Sequence, residues 1–204
     1  MNSRRPLLWL IAAALLAAAG GATLSRMLSQ KQPRLHSGTW LPQRQLLSPF
    51  TLSDLYGKRF DNAALAGHSS LLFFGFTSCP DVCPTTLAAL APLLRQPPLP
   101  DLQVLFVSVD PGRDRPETLR PYLASFDARI VGLTGNEAAL APLLHSLGAI
   151  AGRVALPDGS YTMDHSATLY LLDAQGRMAA VFSPPFTSAS LRTDLEQLAQ
   201  RRVL

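Results

Sequence analysis

The sequence predicts an α/β domain, a mixed β-sheet flanked by helices, and three observations predict it. Two continuous apolar runs, Ser70 to Phe76 and Leu102 to Val109, have the composition of strands buried on both faces. A segment with helical periodicity follows each run. The chain then ends in a strand-turn-strand pattern and one more helix, which adds antiparallel strands to a sheet begun by crossover connections.

The elements follow in order. Phe50-Thr51-Leu52 and Tyr56 to Phe60, with Gly57 between them, read as a short hairpin. Ser70 to Phe76 is the first central strand. Thr85 to Arg95 is a helix, with Leu87, Leu90, Ala91 and Leu94 at helical spacing. Pro92 should kink it or end it early. Leu102 to Val109 is the second central strand. Pro116 to Phe126 is a helix carrying Leu119, Tyr122, Leu123 and Phe126 on one face. Ile130 to Leu133 is a short strand, and Asn136 caps a helix that runs to about Leu147. Tyr161 to Asp164, Ala167 to Leu172 and Met178 to Phe182 read as strands. Thr187 or Ser188 caps a last helix that runs to about Gln200.

The organisation is tripartite: an N-terminal membrane anchor over 1–27, a polar tether over 28–48, and the folded domain over 49–204. No charge interrupts Pro6 to Leu24. At ~1.5 Å per residue this stretch just crosses the ~30 Å hydrocarbon layer of a bilayer. Arg4 and Arg5 favour a cytoplasmic N-terminus. Cleavage after a small residue near positions 18–22 is the alternative, but the apolar run is longer than the ~7–15 residues of a signal core. Either outcome delivers the domain to the non-cytoplasmic side.

Composition narrows the function classes. The 204 residues are 48% hydrophobic and 16% charged, enough for a real core without disulfide staples. The net charge of +4 is concentrated in Arg4, Arg5 and Arg26, which leaves the folded part nearly neutral. No basic run with interleaved aromatics is present, so nucleic acid is not an expected partner.

The only two cysteines, Cys79 and Cys83, follow the first central strand in the sequence Cys-Pro-Asp-Val-Cys-Pro. Ligand chemistry gathers at the carboxyl ends of strands in such sheets. At a helix N-terminus, sulfurs four residues apart share a face. Free amide dipoles there favour thiolate, the form that attacks and ligates. The pair can act as a dithiol, a disulfide or part of a metal site. A purely structural disulfide closing so short a loop would add little stability. Zinc requires four ligands, or three plus water, whereas copper accepts two or three soft ligands with thiolate and imidazole donors.

Four histidines could supply a nitrogen. His36 lies in the tether and His68 in a turn. His145 is expected to be partly buried on its helix, and His165 sits at a strand-to-loop junction. Periodicity alone does not bring His165 to the cysteines.

The stretch Phe74-Gly-Phe-Thr-Ser-Cys-Pro-Asp-Val-Cys-Pro-Thr-Thr-Leu87 resembles the signature of the Sco/SenC family, copper proteins of cytochrome c oxidase assembly. Three more blocks resemble it in the family's order: the hairpin from Phe50 through Lys58, Phe106 to Leu119, and Asp164-His165-Ser166 with the following strand. The resemblance covers about residues 49–200. It implies a thioredoxin-like fold, an anchored periplasmic domain, and a copper ion ligated by Cys79, Cys83 and His165. Asp81 and Asp164 match its acidic neighbours, with the expected task of orienting His165 or tuning charge. Asp110, Arg113 and Asp114 match a block whose expected task is structural, through pairing and turn formation, with a partner contact as the alternative. Gly112 and Arg115 depart from the family's more acidic or small polar residues there.

The implied activity is copper delivery to the dinuclear site of an oxidase subunit. The implied partners are that copper-accepting subunit, a periplasmic copper donor and a thiol reductant. The alternative is a thiol–disulfide reductase in which Cys79 and Cys83 are catalytic and keep the oxidase cysteines reduced for metallation. A peroxiredoxin-type peroxidase ranks last, because Thr77-Ser78-Cys79 is one residue short of the Thr-x-x-Cys spacing.

Overall fold

Strand β4 (Ser69–Gly75) is buried along its whole length, as expected of the run that announced it. Its parallel partner β5 (Leu102–Ser108) is buried from Val104 onward. Phe73 and Phe74 of β4 and Phe106 of β5 are fully buried. Each contributes about 1.5–3 kcal/mol of hydrophobic stabilisation. The computed structural model describes residues 20–21, 34–99 and 101–200. The chain divides into one unit over 1–33 and another over 34–204.

Around β4 and β5 the remaining strands complete an eight-stranded sheet in the order β1-β10-β9-β4-β5-β6-β2-β3. Beyond β5, β6 (Val131–Thr134) is parallel. The hairpin of β2 (Thr51–Asp54) and β3 (Arg59–Asp61) adds antiparallel to β6, turning at Gly57 with a φ of 80° that favours glycine. On the other side, β9 (Leu169–Leu172) and β10 (Arg177–Phe182) pair antiparallel in turn. The domain is therefore a mixed α/β structure.

Helix α1 (Val82–Arg95) packs on β5 and on α4 (Ser188–Gln200). Helix α2 (Pro116–Ala124) packs on β6, and α3 (Glu137–Leu147) packs on β2. The Asn136 side chain accepts from the Ala139 amide, the cap expected there. Pro92 ends nothing: α1 runs on to Arg95.

Two strands were not expected. The first is β1 (Gly38–Leu46), in the segment expected to be a tether over 28–48. It pairs antiparallel with β10, with a shift of register between Trp40 and Gln45. It is an edge strand, where Pro42 is tolerated. The fully buried Asp194 accepts from the His36 and Ser37 amides at 2.7 and 2.8 Å, and Arg44 pairs with buried Asp173 at 2.9 Å. These contacts hold the segment on the domain, so the folded unit begins before residue 49. The second is β7 (Ala151–Ala155), which pairs with β8 (Tyr161–His165) as a separate two-stranded sheet.

Among the described residues no helix is long and apolar enough to cross a membrane. The anchor expected over 1–27 lies outside the described residues except for Gly20 and Gly21.

Candidate metal centre

The segment after β4 departs from the expected geometry. The chain leaves the sheet at Phe76, turns through Thr77 and Ser78, and reaches Cys79 three positions before α1 begins at Val82. Cys79 is therefore in the turn, while Cys83 is the second residue of the helix. Pro80 precedes the helix, and Pro84 occupies its first turn, where no amide hydrogen is missed. The turn is tied down from both sides. The Cys79 amide donates to the Phe76 carbonyl at 3.3 Å. Buried Asp114 accepts from the Thr77 amide at 3.1 Å, from the Thr77 hydroxyl at 2.5 Å and from the Ser108 hydroxyl at 2.7 Å.

From the opposite side, the last residue of β8 is His165. Its ligating nitrogen and the sulfurs of Cys79 and Cys83 all lie within 4.8 Å of one another. The Nε2 atom is 3.5 Å from the Cys83 sulfur, and Nδ1 is 3.2 Å from the Ser166 carbonyl oxygen. A carbonyl only accepts, so Nδ1 carries the hydrogen and Nε2 presents its lone pair to the sulfurs. Phe73 and Phe76 wall the imidazole edge-on, with ring centroids 6.0 and 5.7 Å away.

Burial sets the protonation states. It pushes the Cys83 thiol well above the ordinary range, against the smaller pull of the Phe76 amide. Burial also lowers the His165 imidazole, while the Ser166 carbonyl and the Asp164 charge act the other way. The pair is thus a neutral thiol beside a neutral imidazole, not an ion pair. The helix-terminal dipole expected to favour thiolate is outweighed at Cys83, which is 0% exposed. A neutral pair with converging lone pairs suits a cation that displaces the thiol proton. Cys79 is only partly buried, and both cysteines are free.

This asymmetry predicts selective alkylation. At pH ~8, iodoacetamide should modify Cys79 alone in the folded metal-free protein, and both cysteines in denaturant, as read by peptide mass spectrometry. Equal modification of Cys83 in the folded state would contradict its burial.

The remaining candidates divide. Asp81 is exposed and accepts from the Thr85 hydroxyl at 3.5 Å. Asp164 is exposed and acts on His165 through its charge, whereas the hydrogen bond that orients the ring is the one that Nδ1 donates to the Ser166 carbonyl. His36, His68 and His145 are exposed and do not join the cluster, so His145 is not the partly buried residue expected. Asp110 and Asp114 are buried and shape the turn after β5, where the Asp114 amide donates to the Asp110 carbonyl at 2.8 Å.

Sequence reasoning missed Gly75. A Cβ there would sit 2.7 Å from the Phe106 ring and 2.9 Å from the Cys83 sulfur, so only glycine lets the buried thiol lie against β4.

Two thiols and one imidazole form a soft donor set suited to copper. Among the described residues no fourth histidine, cysteine or carboxylate joins them to complete a four-ligand zinc site.

Known proteins share this arrangement of sequence and fold. A "SCO2-like protein" of Rickettsia prowazekii is 40% identical over 63% of this chain, and the match spans 65% of that protein's length. A "putative copper-binding protein" of Stutzerimonas stutzeri is 34% identical over 78% of this chain and 79% of its own. The solved structure of Bradyrhizobium japonicum ScoI with copper bound superposes with a TM-score of 0.68 at 40% identity, covering 78% of this chain and all of the other. The fold is accordingly thioredoxin-like, as in the Sco structures. The family model described as SCO1/SenC matches residues 40–200, which include all three clustered donors, and the chain belongs to that family.

Proposed function

We propose that this protein carries copper to the dinuclear copper site of a cytochrome c oxidase subunit, holding the ion between Cys79, Cys83 and His165. The observation that carries the reading is the convergence of two sulfurs and one imidazole nitrogen within 4.8 Å. Copper is the cargo, and the residues divide the work of holding and releasing it. Cys83 and His165 form the inner side of the site, shielded by Phe73 and Phe76. Their protons are already arranged for ligation: Nε2 is bare, and the Cys83 thiol gives up its proton only when a cation replaces it. Cys79 stands on the accessible side, beside exposed Pro80 and Val82. An acceptor's thiolate can meet the ion there, so transfer proceeds by stepwise ligand exchange with Cys79 the first protein ligand to leave. Asp164 and Asp81 place negative charge around the opening and favour a cation over an anion.

The same reading assigns the folded unit to the periplasmic side of the inner membrane, held by a single anchor over 1–27. Support comes from the uninterrupted apolar stretch Pro6 to Leu24 and the preceding Arg4 and Arg5. Its partners there are the copper-accepting oxidase subunit, a copper donor and a thiol reductant.

X-ray absorption on the full chain loaded with copper tests the ligand set. Two sulfur scatterers and one imidazole nitrogen are expected. A shell of nitrogen and oxygen alone would overturn the assignment.

A further inference from the structure

The strand that carries His165 is not part of the main sheet. β8 pairs only with β7, so no backbone ladder fixes its distance from the cysteines. The short link to β9 through residues 166–168 and side-chain contacts do so. At the His165 end, Ser166 and Ile150 exchange hydrogen bonds of 2.9 and 3.0 Å that close the hairpin, and the Ser166 side chain also meets the Tyr170 hydroxyl of β9. At the other end stands Tyr161, whose side chain shares a face with that of His165, four positions on.

Tyr161 is held by the turn after β5. Arg113 Nη1 donates to the Tyr161 carbonyl at 2.9 Å, and the Tyr161 hydroxyl donates to buried Asp110 at 3.0 Å. Asp110 also pairs with Arg113 Nε. The Arg113 guanidinium lies 3.9 Å from the Tyr161 ring centroid and 5.7 Å from that of Phe76, the ring that walls His165. Arg113 thus touches both the strand that ends in His165 and a ring that packs against its imidazole. One residue further on, Asp114 fixes the Thr77 turn that leads to Cys79. One short turn therefore reaches both arms of the centre.

We propose that Arg113 is a positioning residue for the imidazole: by clamping Tyr161 it sets where His165 Nε2 stands relative to the two sulfurs, and so the share of copper coordination carried by nitrogen. The inference rests on the copper reading and adds a division of labour to it. The guanidinium suits the task because it is permanently charged and its planar fork satisfies a carbonyl and a carboxylate at once. The dithiol does not depend on it.

The test uses full-length wild-type and Arg113→Gln protein loaded with copper. Imidazole scattering in X-ray absorption and the rate of copper loss to a chelator are measured, with free-thiol titration and thermal melts alongside. The Gln variant is expected to titrate two thiols, lose most of its imidazole signal and release copper about 10-fold faster, the lower end of the range for residues that orient ligands. In a His165→Ala background the same substitution should add nothing to the release rate. An additive effect would mark a general structural role and overturn the inference, as would a folded Arg113→Gln protein with wild-type scattering and release. Should Arg113→Gln fail to fold, Arg113→Lys takes its place. Lysine keeps the charge opposite Asp110 but cannot span both acceptors, so the same loss is expected. A lysine variant that binds copper as wild type does, or does not fold, overturns the assignment. Absence of an imidazole signal in wild-type protein would instead count against the copper reading itself.

Discussion

Cys83→Ser is expected to leave the protein unable to retain copper against a chelator that the wild type resists. Outer residues that merely orient ligands change metal affinity by ~10–100-fold, so removing a ligand should exceed that range. The sulfur cannot be replaced in kind. It is fully buried, it lies against Gly75, and it stands 3.5 Å from Nε2. Serine fits the space but offers a hard oxygen whose proton a soft cation does not displace at neutral pH. The fold should survive, because the new hydroxyl inherits the Nε2 lone pair as an acceptor. An unpartnered buried hydroxyl would cost about 1–3 kcal/mol, which bounds the expected loss of stability. Cys79→Ser should lose copper as well, but with a smaller effect on melting, since Cys79 is only partly buried. Chelator competition and thermal melts on the two variants measure both effects. Unchanged copper retention in either folded variant would remove that cysteine from the site.

The same burial explains what could be read from the chain and what could not. β4 was legible because both of its faces are covered, which forces an unbroken apolar run. β1 was not, because an edge strand needs apolar residues on one face at most, and Pro42 and Arg44 suit a solvent-facing edge. β7 was hidden for another reason: Ala-Gly-Arg-Val-Ala has little strand propensity, and its conformation comes from pairing with β8. At the centre, the spacing of Cys79 and Cys83 was plain, but the acidity of Cys83 ran opposite to expectation. A helix terminus lowers a thiol only where solvent does not first have to be stripped away, and the apolar wall of β4 was invisible from the local sequence. Resemblance brought His165 to the cysteines, since 82 residues separate it from Cys83. The clamp from Arg113 to Tyr161 spans 48 residues and leaves no periodic trace.

His165→Ala should separate metal from electrons. Without Nε2 the site keeps two sulfurs, so copper release to a chelator should quicken by more than the ~10–100-fold range of orienting residues. Oxidation of Cys79 and Cys83 to a disulfide by an added disulfide, and its reduction by an added dithiol, ask nothing of the imidazole and should continue. A second signature follows from protonation. Burial holds the His165 imidazole below its ordinary value near ~6.5. As pH falls from there toward the folded-state value, the unfolded chain takes up a proton that the folded protein refuses. The unfolded state then binds more protons, so the metal-free wild type loses stability over that window and no further below it. His165→Ala removes the group and should flatten the acid limb of the stability profile, as read by denaturant unfolding at a series of pH values. If the variant holds copper as firmly as wild type, the three-ligand centre is wrong. If copper is lost but the acid limb stays unchanged, the imidazole is not the buried neutral group described, and the accessible side of the site extends further inward than Cys79.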